Sequence, residues 1–91
     1  MFILISYDIE DDKKRTKVSK LLENYGTRVQ YSVFECLINK EQLKTIKEKT
    51  KKIINLDTDS IRFYSICDSC VNRIEIVGIG EVSKDIDFYI I

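Results

Sequence analysis

Asp8 closes an apolar run, Phe2-Ile3-Leu4-Ile5-Ser6-Tyr7. A carboxylate presented at such a point can hold a divalent cation and polarise a phosphodiester. Aspartate also ends strands and caps helices for structural reasons alone, and both readings stand for Asp8. One carboxylate is too few for two-metal chemistry, although a two-fold dimer would bring up a second copy. The densest positive group is Lys13, Lys14, Arg15, Lys17, Lys20 and Arg28. It can neutralise phosphates in a salt-dependent way, or serve as a solvated helix surface. Tyr7, Tyr31, Phe34 and Tyr64 offer rings for base stacking, or bulk for a core or an interface.

Cys67-x-x-Cys70 has a metal-like or redox-like spacing, with Cys36 the remaining cysteine. Structural zinc needs four ligands, and the pair supplies two. The pair is placed at a strand-turn, away from a helix start where a thioredoxin-type thiol gains its acidity. Structural cysteines are the expectation, with half of a site shared between two chains as the alternative. The chain contains no G-x-x-x-x-G-K-[ST] or G-x-G-x-x-G phosphate loop. The basic-Gly-aromatic-Gly-aromatic signature of the RRM is also missing from the candidate strands.

Composition narrows the classes. The 91 residues suit one domain, residues 1–91, and Lys plus Arg (15) balance Asp plus Glu (15). Zero net charge counts against a bulk electrostatic nucleic-acid binder, so a binding surface has to come from local charge separation. Histidine is absent, which removes the commonest general base and metal ligand. Catalysis would rest on carboxylates, hydroxyls, cysteine or lysine. Apolar runs are far shorter than the roughly 20 residues of a membrane span. Met1 leads directly into the first apolar run, and the expectation is a reduced, cytoplasmic protein. A chain this small buries only about 60–65% of its unfolded surface, so pairing with a second copy would help.

These residues need elements to position them. Phe2 to Asp8 reads as a buried central strand. Val18, Leu21, Leu22 and Tyr25 fall at i, i+3, i+4, i+7 and mark one face of a helix, with Gly26 as its C-terminal cap. Thr27 to Ile38 reads as one long strand whose alternation slips, with a bulge or bend near Ser32-Phe34. Asn39 and Gln42 resemble a capping box. It opens a second helix along Leu43, Ile46, Thr50, Ile53 and Ile54, whose other faces carry Lys44, Lys47, Lys49, Lys51 and Lys52. Asn55 to Asp59 is a polar loop. Ser60 to Cys67 and Arg73 to Val77 read as strands separated by a turn, and Gly78-Ile79-Gly80 ends the second. Asp85 to Ile91 alternates as a strand. The expected class is α+β, a ferredoxin-like β-α-β-β-α-β core over about residues 1–78 plus a C-terminal strand. Two helices cover one face of the sheet, and the other face stays available for a ligand, a nucleic acid or another copy.

The string as a whole resembles the smaller of the two core spacer-acquisition proteins of CRISPR immunity. The resemblance rests on Ser6-Tyr7-Asp8-Ile9, on Asp12-Lys13-Lys14-Arg15-Thr16-Lys17 with Leu21-Leu22 and Tyr25-Gly26, on Arg28-Val29-Gln30-Tyr31-Ser32-Val33-Phe34-Glu35, on Ser60-Ile61-Arg62-Phe63-Tyr64, and on Cys67-x-x-Cys70. It implies a ferredoxin-like homodimer whose last strand, about 85–91, packs on the partner. Some members are described as metal-dependent endonucleases on RNA or DNA, with magnesium held by the aspartate of both protomers. Others bridge copies of the larger integrase and bind the duplex DNA to be inserted. Carried over by residue, Asp8 would hold the metal beside Tyr7, and Ser32 and Phe34 would shape the site. Lys14, Arg15, Lys17 and Arg28 would be nucleic-acid contacts. Three functions are weighed: an adaptation scaffold that binds DNA, a magnesium-dependent endonuclease in the same system or a stand-alone ribonuclease including the related toxin type, and a small-molecule regulatory module, since this fold hosts many functions.

Overall fold

The computed structural model describes residues 1–83. The expected C-terminal strand at 85–91 lies outside them. The chain runs β1 (Phe2–Asp8), α1 (Asp12–Glu23), β2 (Gly26–Gln30), β3 (Val33–Leu37), α2 (Lys40–Ile53), β4 (Ser60–Ile66) and α3 (Asp68–Val71). The four strands form an antiparallel sheet in the order β2-β3-β1-β4, with β1 and β3 central and β2 and β4 at the edges. This is the ferredoxin-like, α+β arrangement expected.

The period of two along β1 builds the core. Ile3, Ile5 and Tyr7 turn to one side and are at most 4% exposed. Their register partners on β3, Cys36 and Phe34, share that side, as do Phe63 and Ile61 on β4. Val18 and Leu22 of α1 and Ile46 of α2 close over them in one cluster. Each fully buried side chain of this size contributes about 1.5–3 kcal/mol. Helix ends are satisfied locally. The Asp11 carboxylate accepts from the Lys14 amide at 2.9 Å. Asn39 and Gln42 form the expected reciprocal capping box, at 3.0 and 2.8 Å.

Four expectations change. The turn expected after β4 is the short helix α3, and Cys67 is its N-cap, so the cysteine pair lies at a helix start and not away from one. Thr27 to Ile38 is two strands that reverse at Tyr31-Ser32, with a register shift between Arg28 and Gln30. That reversal completes the β-α-β-β-α-β order. It is illegible in the sequence because neither turn residue is Gly, Asn or Asp, and β-branched residues flank it. Arg73 to Val77 forms no strand. The chain there crosses the uncovered face of the sheet, and Gly78 and Gly80 bend it at φ 101° and 147°. This segment and the sheet bound a groove that includes Leu4, Val33, Glu35, Ile76 and Val77. Glu35 anchors its far end, accepting from the Ser83 amide (3.0 Å) and hydroxyl (2.8 Å). Lastly, α1 ends at Asn24, so Gly26 is no helix cap. It opens β2 against β3, where an added Cβ would meet the Glu35 carbonyl oxygen and lie 2.9 Å from Cys36 Cα.

Candidate nucleic-acid and metal site

Asp8 is exposed at the last position of β1. Pleating puts it on the uncovered face with Ser6 and Leu4. Across β4 its partner is Ser60, and Ser6 faces Arg62. Arg62 is therefore the diagonal neighbour of Asp8, a separation of about 7–8 Å between backbones. Tyr64 follows on the same row, and the Arg62 guanidinium, donating to its phenol oxygen, has its pKa pushed up. Carboxylate, hydroxyl, guanidinium and phenol thus share one face. Ser6 and Arg62 are not evident in the sequence because their relation to Asp8 depends on β1–β4 register, which no local spacing encodes.

Tyr7 and Phe34 sit on the other side of the sheet. Tyr7 is 4% exposed and Phe34 fully buried, their rings stacked 6.4 Å apart. The Tyr7 hydroxyl donates to the Tyr31 carbonyl (3.2 Å), and the Tyr7 amide donates to the Ser32 carbonyl (3.0 Å). Together they moor the β2–β3 turn, and with it half-buried Ser32, to the end of β1. Tyr31 itself is 95% exposed. Of the residues expected to form a site, Asp8 and Ser32 share this rim, with Tyr7 and Phe34 packed beneath it.

The expected basic contacts divide in the same way. Arg15 clamps the chain just after Asp8: Nε donates to the Ile9 carbonyl (3.2 Å), and Nη2 to the Glu10 carbonyl (3.1 Å) and Asp12 (2.6 Å). Arg28 ties β2 to α1 by donating to the Ser19 hydroxyl. It also lies 4.0 Å from Glu23 and 5.4 Å above the Phe34 ring. Lys14 is half-buried near Asp59, whose carboxyl is held below the usual range, first by the Asn55 amide, then by the Glu10 amide. Lys17 is exposed, with no ion pair among the described residues. A second basic surface lies on α2, whose outer lysines the sequence already marks. Lys40, Lys44, Lys47 and Lys51 recur at i, i+4, i+7, i+11 and form an exposed stripe about 16 Å long on α2. Zero net charge thus conceals an acidic rim, with Glu10, Asp11, Asp12 and Asp59 around the Asp8 end, and a basic helix.

The donor set does not make a magnesium centre from one chain. Among the described residues no three His, Cys, Asp or Glu side chains come together to hold a metal. Asp8 contributes one carboxylate.

The family model described as "CRISPR associated protein Cas2" matches residues 1–74. The chain belongs to the Cas2 family. It is 43% identical, over its whole length and 98% of the relative, to the CRISPR-associated endoribonuclease Cas2 3 of Chloroflexus aurantiacus. Its fold matches the crystal structure of Streptococcus pyogenes Cas2 with a TM-score of 0.77 at 38% identity, covering 86% of this chain and 100% of that one. A chain of a partial Cas6-RT-Cas1–Cas2 complex matches with a TM-score of 0.74 at 35% identity, over 84% and 89% of the two chains. The matched residues span the whole β-α-β-β-α-β unit, including the rim where Asp8 lies. No helix among the described residues is long and apolar enough to cross a membrane.

Proposed function

We propose that this Cas2-family chain is a CRISPR adaptation subunit: a cytoplasmic homodimer that binds duplex DNA and bridges copies of the larger integrase during spacer acquisition. The observation that carries this reading is the likeness to a chain of a partial Cas6-RT-Cas1–Cas2 complex. The charge distribution supports it, since the α2 lysine stripe gives a neutral chain a one-sided surface for phosphates. In this reading residues 1–91 are one domain, and strand 85–91 packs on the partner. The experiment is reconstitution with the larger integrase and a duplex bearing the new spacer. A stable ternary complex, with integration retained by Asp8→Asn, is expected. Failure of the purified dimer to join integrase and duplex would sink the proposal.

A second reading is a magnesium-dependent endonuclease on RNA or DNA, including a stand-alone ribonuclease of the toxin type. It is favoured by the exposure of Asp8 at the open end of β1 and by a relative that bears the name endoribonuclease. One chain lacks the ligands, so magnesium would be shared by Asp8 of both protomers. Cleavage of labelled single-stranded RNA and duplex DNA decides it. Magnesium-dependent cleavage lost in Asp8→Asn, with the dimer intact, supports this reading; cleavage unchanged in the variant removes it.

A further inference from the structure

The three cysteines live in two different environments. Cys36 is fully buried on β3, within the core cluster under the helices, and burial pushes its thiol up to about 11. Cys67 and Cys70 are both exposed and free, on the turn that leaves β4. A cysteine kept only as a small apolar filler belongs where Cys36 is, so packing does not account for this pair.

Local geometry brings the two together. Cys67 is the residue preceding α3, in extended conformation, and Cys70 is the third residue within it. Asn39 and Gln42 have the same relation in α2, and there the side chains of the two positions close on one backbone turn. At Cys67 the turn is fixed by its carbonyl, which accepts from the Cys70 amide (2.9 Å) and the Val71 amide (3.0 Å). Cys67 Sγ lies 3.2 Å from Ser69 Oγ. Thiols three residues apart in such a turn reach each other with a small adjustment of the exposed segment. A closed zinc site is a poorer account, because it needs four ligands and no third ligating side chain joins the pair among the described residues.

We propose that Cys67 and Cys70 are a redox-modifiable dithiol that closes reversibly to an intramolecular disulfide by exchange with low-molecular-weight disulfides. The Cys67 thiolate attacks one sulfur of the small disulfide. That S–S bond breaks, the first small thiol leaves and takes a proton from solvent, and Cys67 carries the mixed disulfide. Cys70 then releases its proton to solvent and attacks Cys67 Sγ. The Cys67–Cys70 bond forms as the second small thiol departs and is protonated. Two electrons and two protons pass from the cysteines to the small disulfide, and a dithiol reductant reverses the process. The roles are asymmetric. Hydrogen bonds from Ser69 and then Cys70 lower the Cys67 thiol to about 7, whereas the neighbouring Cys67 raises that of Cys70. Cys67 is the attacking sulfur and Cys70 the resolving one. The ring is too short for chain entropy to add much stability, so the bond marks redox state more than it staples the fold.

The test incubates the native full-length chain in oxidised glutathione near neutral pH, followed by intact mass and peptide mapping. The expected product has lost two hydrogens, links Cys67 to Cys70, leaves Cys36 free, and is restored by dithiothreitol. Cys70→Ser should stop at a single glutathione adduct on Cys67, and Cys67→Ser should form its adduct more slowly. Both positions are exposed, and unchanged circular dichroism verifies the fold. Glutathione adducts on both cysteines without a disulfide, a bond joining two chains, or a native chain that stays reduced while the denatured chain oxidises would each overturn the proposal.

Discussion

Arg62 stands diagonally across from Asp8 on the uncovered face of the sheet, because Asp8 pairs with Ser60 and Ser6 with Arg62. It is the cation that register brings to that carboxylate, on a rim otherwise lined by Glu10, Asp11, Asp12 and Asp59. A phosphodiester held on this face at Asp8 would lie beside Arg62. Arg62→Ala should leave folding unchanged, since the side chain is exposed. It should weaken nucleic-acid binding and lower the slope of log K against log salt by about one. An unchanged slope in a filter-binding titration would show that the duplex does not touch this face.

The α2 stripe makes a separate prediction. Lys44→Gln with Lys51→Gln removes two charges without disturbing the core, because both side chains are exposed. For every phosphate deprived of its lysine, the salt slope should fall by about one, and binding should weaken across all sequences. Lys47 is a poorer choice. Its ammonium lies 5.5 Å from the Phe63 ring centre, so Lys47→Gln should also destabilise the fold by about 0.5–1 kcal/mol. Titrations at several salt concentrations, paired with urea denaturation, separate the two effects.

Tyr7 and Phe34 lie on the helix-covered side, which predicts effects on stability rather than on direct binding. Phe34→Ala should cost about 3–5 kcal/mol, enough to unfold much of a small domain. Tyr7→Phe loses only the bond to the Tyr31 carbonyl, and about 0.5–1.5 kcal/mol with it. Its nucleic-acid affinity and dependence on Asp8 should match wild type. A Tyr7→Phe protein of normal stability with collapsed affinity would mean that the hydroxyl leaves the core to meet the ligand.

Gly26 tests how tightly β2 seats on β3. A methyl group there would meet backbone on two sides, the Glu35 carbonyl oxygen and Cys36 Cα, and backbone cannot rotate away as a side chain can. Gly26→Ala should destabilise by about 1–3 kcal/mol, read as a lower denaturation midpoint with an unchanged slope. A neutral result would mean that β2 shifts along the edge without loss.

Much of this fold is written in local pattern. Phe2–Asp8 is plain as a continuous apolar run, and the i, i+3, i+4, i+7 stripe of α1 is plain because one face of that helix is buried. The capping box at Asn39 and Gln42 is legible because it needs only neighbours. The reversal at Tyr31-Ser32 is hidden by turn residues that carry no turn signature. Arg73 to Val77 has strand composition, but it crosses the sheet face instead of pairing at an edge, a choice set by tertiary contacts. At the site, Asp8 is visible as an acid after an apolar run. Its company is not, since Arg62 arrives by register from 54 residues away. Arg15 and Arg28 look like free charges because sequence does not reveal which carbonyls and rings already occupy a guanidinium.

Burial of Cys36 gives the fold a pH dependence. In the unfolded chain its thiol titrates near its ordinary value of 9.0, and in the native state near 11. Below pH 9 both states hold the proton, so the pH has no effect through this group. Between 9 and 11 the unfolded chain releases its proton while the native chain keeps it. Unfolding then gains the free energy of that release, and stability falls as pH rises. Above 11 both states are ionised and the difference is constant. Urea denaturation of wild type at pH 8, 9.5 and 10.5, under reducing conditions, should show a progressive fall. Cys36→Ala should start less stable because of the cavity, yet lose less over the same interval. Tyrosine titration affects both proteins and cancels in the comparison. Parallel pH profiles for the two would mean that the Cys36 thiol ionises as readily inside the fold as outside it.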